Sequence, residues 1–176
     1  MRLYRVGVYA TALALLVPAP SWAAQPVKVK DWVFQKTNGM AEAWTVNDSG
    51  SQLGVVCLAA SNCMAYFVSD SGTCEDGSKY PALLNSASGA FALTTVCRKI
   101  ESDSGKPRFV LVINELDQVL DAMIKDHTLG IVIPMASGMF KAARFSLEGS
   151  NEELADVNQA ITSQSKPARA TGDQDL

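Results

Sequence analysis

All four cysteines of this chain, Cys57, Cys63, Cys74 and Cys97, fall in one central stretch, and the chain opens with an export signal. Exported cysteines meet an oxidising compartment and pair. Each bridge holds two segments within a few ångströms, so two bridges here restrict the fold more than any other feature. Four cysteines allow three connectivities, and counting alone does not choose among them. The strand pattern favours one. Leu53 to Cys57 and Cys63 to Phe67 are strand-like runs separated by a stretch short enough for a hairpin loop. Cys57 and Cys63 would then face each other at the loop end, where opposed Cβ atoms are within bridging range. That leaves Cys74 for Cys97, tying the glycine-bearing turn around Gly72 and Gly77 to the end of a strand at Phe91 to Cys97. Redox or metal chemistry is the competing reading. It lacks a Cys-x-x-Cys pair, and the one histidine, His127, is remote in sequence. No metal or cofactor is therefore expected.

The export signal occupies residues 1–23. Arg2 and Arg5 supply the positive start, Val6 to Val17 the apolar run, and Ser21-Trp22-Ala23 a small-x-small cleavage site, with Ala24 an alternative end. The apolar run is short for a bilayer span and no second one follows, so no stable membrane span is expected. No cysteine lies near the cleavage site to carry a lipid. Residues 24–162 read as a single β-rich domain. Residues 163–176 are polar, have no apolar period and read as a disordered tail. Removing the signal leaves 13 basic against 18 acidic residues, a net charge of −5. That charge argues against nucleic acid and anionic membrane surfaces as partners.

The rest of the domain reads mainly as strands. Asp31 to Gln35 and Ala43 to Val46 flank a turn at Asn38-Gly39, and Asn47 to Gly50 marks the next turn. Tyr80 to Asn85, Phe91 to Arg98 and Arg108 to Ile113 follow, the last apolar enough to be buried on both faces. Between Glu115 and Asp126 the apolar spacing changes to that of a helix, with Leu116, Val119, Leu120, Met123 and Ile124 on one face and Asn114 as its N-cap. Thr128 to Pro134 and Met139 to Leu147 are two more strands, joined at Met135 to Gly138. Ser150 and Glu153 match a capping box ahead of a second helix bearing Leu154, Val157 and Ile161. About eight short strands with turns between them predict an antiparallel β-sandwich or barrel-like domain with two short helices, stapled by disulfides.

Catalytic signatures are sparse. There is no Gly-x-Ser-x-Gly elbow, and no glycine-rich loop links a strand to a helix. His127, the one candidate base, falls at a predicted helix end. Asp70, Glu75 and Asp76 offer oxygen donors, but not at the spacing of a calcium loop. Trp32 and Trp44 suit either a ligand platform or a core. A non-enzyme is expected.

Three segments near the C-terminus carry a likeness. Leu129 to Pro134, Phe145-Ser146-Leu147-Glu148-Gly149-Ser150 and the helix over 151–161 resemble the end of the invasion-associated locus B family, and Ala43-Trp44-Thr45-Val46 is similar to its early Trp-x-Val strand. The resemblance implies an exported, mostly β protein with paired cysteines, non-enzymatic and linked to host interaction. The expected protein is thus an envelope or secreted binding protein of the periplasm, the outer membrane surface or the medium, with a protein or other envelope component as partner. The alternatives are an inhibitor of a hydrolase such as lysozyme or a protease, acting through Asp70, Glu75 and Asp76, and an uncharacterised periplasmic hydrolase using carboxylates or His127.

Overall fold

The computed structural model describes residues 25–37, 39–58, 62–69, 72–101, 107–134 and 139–164, with side chains to Thr162. The expected signal over 1–23, Ala24, Asn38 of the expected Asn38-Gly39 turn, residues 59–61, Asp70 and Ser71, residues 102–106 and 135–138, and residues 165–176 of the expected tail over 163–176 lie outside the described residues. The strands are β1 (Val27–Val29), β2 (Trp32–Thr37), β3 (Met40–Val46), β4 (Gln52–Leu58), β5 (Asn62–Val68), β6 (Lys79–Ser86), β7 (Gly89–Glu101), β8 (Pro107–Ile113), β9 (Thr128–Pro134) and β10 (Phe140–Ser146). The helices are α1 (Leu116–Lys125) and α2 (Ser150–Gln164).

All ten strands belong to one sheet, in the order β1-β2-β3-β4-β5-β8-β7-β6-β9-β10. Every neighbouring pair is antiparallel. The sheet curls until its ends approach, so the barrel-like expectation holds. Phe67 on β5 and Phe145 on β10 meet edge to face across the interior, ring centroids 6.1 Å apart. The curl follows from alternation: Ala41, Ala43, Leu53, Val55, Ala65, Phe67, Leu93, Leu111, Leu84, Ile131 and Ala143 all fall on the inner face. Helix α1 packs against β5 and β9, and α2 against β2, β3 and β4, so both helices cover the inner face.

The seam between the sheet's two ends is closed by side chains. The Trp32 indole N–H donates to the Ser146 carbonyl at 3.1 Å, and the Asn47 amide donates to the Arg144 carbonyl at 3.2 Å. The backbone adds Asp31 N–H to the Glu148 carbonyl at 3.2 Å. Asn47 also organises its own turn. Its carboxamide oxygen accepts from Ser51 N–H and from the Ser49 hydroxyl, both at 2.9 Å. Trp32, 0% exposed, is a core residue. Trp44 is half-buried on the outer face.

The two bridges are Cys57–Cys63 and Cys74–Cys97, the pairing that the strand pattern favours. Cys57 and Cys63 are direct cross-strand partners on β4 and β5. Cys74 reaches the buried Cys97, whose backbone also pairs with Ser78 and Gly77.

Several local expectations are corrected. An extra strand, β1, precedes the first expected one. Lys30, with φ 52°, makes the tight turn into β2, and no sequence signal marks a lysine for that conformation. Strand β7 runs 13 residues, to Glu101, because its backbone pairing with β8 continues as far as Glu101 opposite Pro107. Strand β8 alternates: Leu111 and Ile113 are buried, while Arg108 is exposed on the other face. At α1, Glu115 and not Asn114 takes the N-cap position, and no side chain caps the helix. The Glu115 carboxylate instead accepts from Thr94 N–H at 2.8 Å.

The capping box at α2 is also absent. Ser150 is the first helical residue, and its hydroxyl lies 2.6 Å from the Met123 carbonyl and 2.8 Å from that of Leu147. Glu153 is thereby freed from capping and turned inward. Its side chain is 0% exposed, and neither carboxyl oxygen has a hydrogen-bond partner among the described residues. Burial, then Asp156 and Glu152, raise its carboxyl above the ordinary value of 4.5, while the nearby Val29 amide pulls the other way. The folded chain therefore binds this proton more tightly than the unfolded chain. Stability is lost as pH rises from the ordinary carboxyl range through the raised value. Glu153→Gln should raise the melting temperature near pH 7 and bring little gain near pH 4, where both states hold the proton. Thermal unfolding at the two pH values checks this, and equal effects at both would refute it.

Candidate functional site

Residues at alternate positions to the core face outward, and on β3, β4, β5, β8 and β7 they form a trough. Its floor is aliphatic: Val56, Met64, Val68, Val110 and Val112, with Ile100 at the rim. The cavity holds about 260 Å³. The register sets this surface. Trp44, Gly54, Tyr66, Val112 and Val96 form one row across five strands, and Val46, Gln52, Val68, Val110 and Arg98 form the next. Gly54 is the gap in the first row. The Tyr66 ring lies across it, so that a Cβ built on Gly54 would stand 2.6 Å from the phenol oxygen and 2.8 Å from the Ala43 carbonyl. A glycine mid-strand is otherwise unfavourable, and here a cross-strand aromatic covers it. Gly54→Ala should cost about 1–3 kcal/mol by overpacking. A lowered denaturant midpoint at unchanged slope is the expected readout.

Four side chains from four neighbouring strands form a polar line over this floor. The Arg108 guanidinium donates to the Gln52 carboxamide oxygen at 3.1 Å. The Gln52 amide nitrogen donates to the Tyr66 phenol oxygen at 2.6 Å. The Tyr66 hydroxyl donates to the Glu42 carboxylate. Every donor points the same way, from cation to anion, so each bond polarises the next. Burial, then the Glu42 carboxylate, push the Tyr66 phenol well above its ordinary value of 10.0. It remains a donor at any physiological pH and cannot serve as a general base. Arg98, diagonal to Arg108 across β7 and β8, has no ion pair among the described residues. The trough thus presents an apolar floor with two guanidinium groups at one end.

The residues singled out from sequence lie elsewhere. All four cysteines are bridged and carry no free thiol. His127 has a side chain 92% exposed and contacts Glu148 at 3.2 Å; Lys30 reaches the same carboxylate at 3.2 Å. Lys30, then His127, hold that carboxyl below its ordinary range. Asp76 accepts from Lys99 N–H at 2.8 Å and so fastens the loop to β7. Glu75 is exposed and Asp70 is outside the described residues. No cluster of metal-binding side chains occurs among the described residues. No helix there is long and apolar enough to cross a membrane. Sequence reasoning missed Glu42, Gln52, Tyr66 and Arg108, because their convergence depends on strand order. The available signal was a tyrosine in a strand whose hairpin partner carries a mid-strand glycine. A second apolar cavity, about 400 Å³, lies between α1, α2 and the Cys57–Cys63 bridge, without a charged side chain in its lining.

No family model matches the chain, and no curated protein matches it. Among solved structures, the chain is similar to invasion-associated protein B from Bartonella henselae. The two share 15% identity and a TM-score of 0.52, over 81% of this chain and 100% of that one. The chain therefore has the fold of an invasion-associated protein B, the family that its Phe145-Ser146-Leu147-Glu148-Gly149 strand end and terminal helix resemble.

Proposed function

We propose that this is an exported, non-catalytic binding protein that engages a protein partner through the trough over β3, β4, β5, β8 and β7. The observation that carries the reading is the trough's chemistry. It offers an open aliphatic floor with two guanidiniums beside it, while its convergent polar groups are spent on one another. A buried phenol held protonated, tied to a carboxylate and an amide, stiffens a surface and supplies neither nucleophile nor base. The His127 side chain is 92% exposed and lines neither the trough nor the cavity beside the Cys57–Cys63 bridge, which suits a surface residue better than a catalytic one. Paired cysteines and the similar Bartonella protein are compatible with export, and the association with invasion in that protein's name supports a host-facing partner.

The test joins location to contact. A photo-crosslinking amino acid is placed at Met64 in the producing cell, which is then fractionated and blotted with and without reductant. The expected result is protein outside the cytoplasm, with a mobility change on reduction, and a discrete adduct that Arg98→Glu with Arg108→Glu abolishes. Cytoplasmic protein with free thiols, or exported protein with no adduct, would overturn the reading.

A further inference from the structure

Strand β10 is the last in the sheet, and half of its free edge has no partner among the described residues. Leu147 N–H bonds the His127 carbonyl at 2.9 Å, which makes 147 and 127 a hydrogen-bonded pair. By antiparallel alternation the backbone groups of Lys141, Ala143 and Phe145 then point toward β9, and those of Phe140, Ala142, Arg144 and Ser146 point away from it. The outward carbonyls of Arg144, Ser146 and Glu148 are taken by Asn47, Trp32 and Asp31. Among the described residues nothing does the same for Phe140 and Ala142. The most exposed large apolar residues among those described are at this spot, Met139 at 65% and Phe140 at 72%. The register extends the patch inward: Phe140 pairs with Pro134, and Ala142 with Val132, which pairs with the exposed Leu83. Bare edges are usually blocked by charge, but the one lysine here turns its ammonium onto the Ser69 hydroxyl, 2.6 Å away.

We infer that the open half of β10, from Met139 to Ala142, is a strand-addition site. It takes an extended segment of a protein partner that is apolar at alternate positions and acidic where it meets Arg144. Backbone bonds to Phe140 and Ala142 supply affinity, and the strip of Leu83, Val132, Pro134 and Phe140 selects the side chains. Arg144 is exposed and has no ion pair among the described residues, so charge complementarity favours an acid opposite it. A second copy of this chain is the poorer occupant. Antiparallel self-pairing centred on Ala142 brings Phe140 of the second copy against Arg144, where Asn47 already sits. Pairing centred on Lys141 opposes two lysines. The site is separate from the trough and does not depend on it.

The test uses the full exported protein and a random-peptide phage library. Panning should enrich peptides with alternating apolar residues and an acid at one end. Ala142→Pro removes the outward N–H and leaves the ladder to β9 intact, because that amide has no partner among the described residues. It should weaken the enriched peptide by about tenfold or more. Arg98→Glu with Arg108→Glu should leave binding unchanged, separating this site from the trough. Should Ala142→Pro fold poorly by circular dichroism, the same peptide N-methylated at alternate amides replaces it, with equal loss expected on the unaltered protein. No enrichment, binding indifferent to both changes, or self-association in the ultracentrifuge that Ala142→Pro removes, would each overturn the proposal.

Discussion

Replacing Trp32 by alanine is expected to destabilise the fold by about 3–5 kcal/mol, the range for truncating a fully buried tryptophan. Trp32 is the largest completely buried side chain among the described residues. It starts β2, pairs with Val29 and Thr45, and sends its indole N–H across the seam to Ser146. The substitution leaves a void under α2 and an unbonded carbonyl on β10 together. Trp32→Phe separates the two effects: it keeps most of the volume and removes the donor, at about 1 kcal/mol. Equilibrium urea denaturation resolves these values. An alanine variant within about 1 kcal/mol of the parent would show that the seam does not depend on this residue.

Loss of the Cys74–Cys97 bridge is expected to have the second largest effect. The cysteines are 23 residues apart, and the loop they close is worth roughly 3 kcal/mol in the chain-entropy model. The Cys57–Cys63 bridge spans a separation of only 6 and joins strands that hydrogen bonds already pair, so its loss should cost roughly 2 kcal/mol. Paired alanine replacements, Cys74→Ala with Cys97→Ala and Cys57→Ala with Cys63→Ala, test the order under non-reducing denaturation. The reverse order would place the stabilisation in native packing rather than in the unfolded chain.

Much of the architecture was legible because its signals are local. The hairpin at Cys57 and Cys63, the turn at Asn47 to Gly50, and the shift of apolar period at Leu116 each depend on residues a few positions apart. The capping assignments failed for the opposite reason. Asn114 and Ser150 are good caps by residue type, yet Asn114 N–H is drawn to the Thr94 carbonyl and the Ser150 hydroxyl to Met123 and Leu147. Tertiary neighbours out-competed local ones. Strand β1 escaped notice because Val27 and Val29 are too few to establish a period.

By itself the sequence determined that the chain is strand-rich, that a helix follows the strand ending at Ile113 and another the strand ending near Leu147, and which cysteine pairing to favour, since alternation, helical spacing and hairpin geometry are properties of short segments. Only the tertiary structure decided that β8 inserts between β5 and β7, that β6 turns back to β9, and that the curl brings Trp32 to Ser146. These pairings join residues far apart in the chain, and their free energy comes from burying the shared inner face, which no single segment encodes. The same strand order lines up Glu42, Tyr66, Gln52 and Arg108 from four strands and leaves Phe140 and Ala142 on an edge without a partner among the described residues. Both candidate surfaces are therefore products of sheet order, read in space and not along the chain.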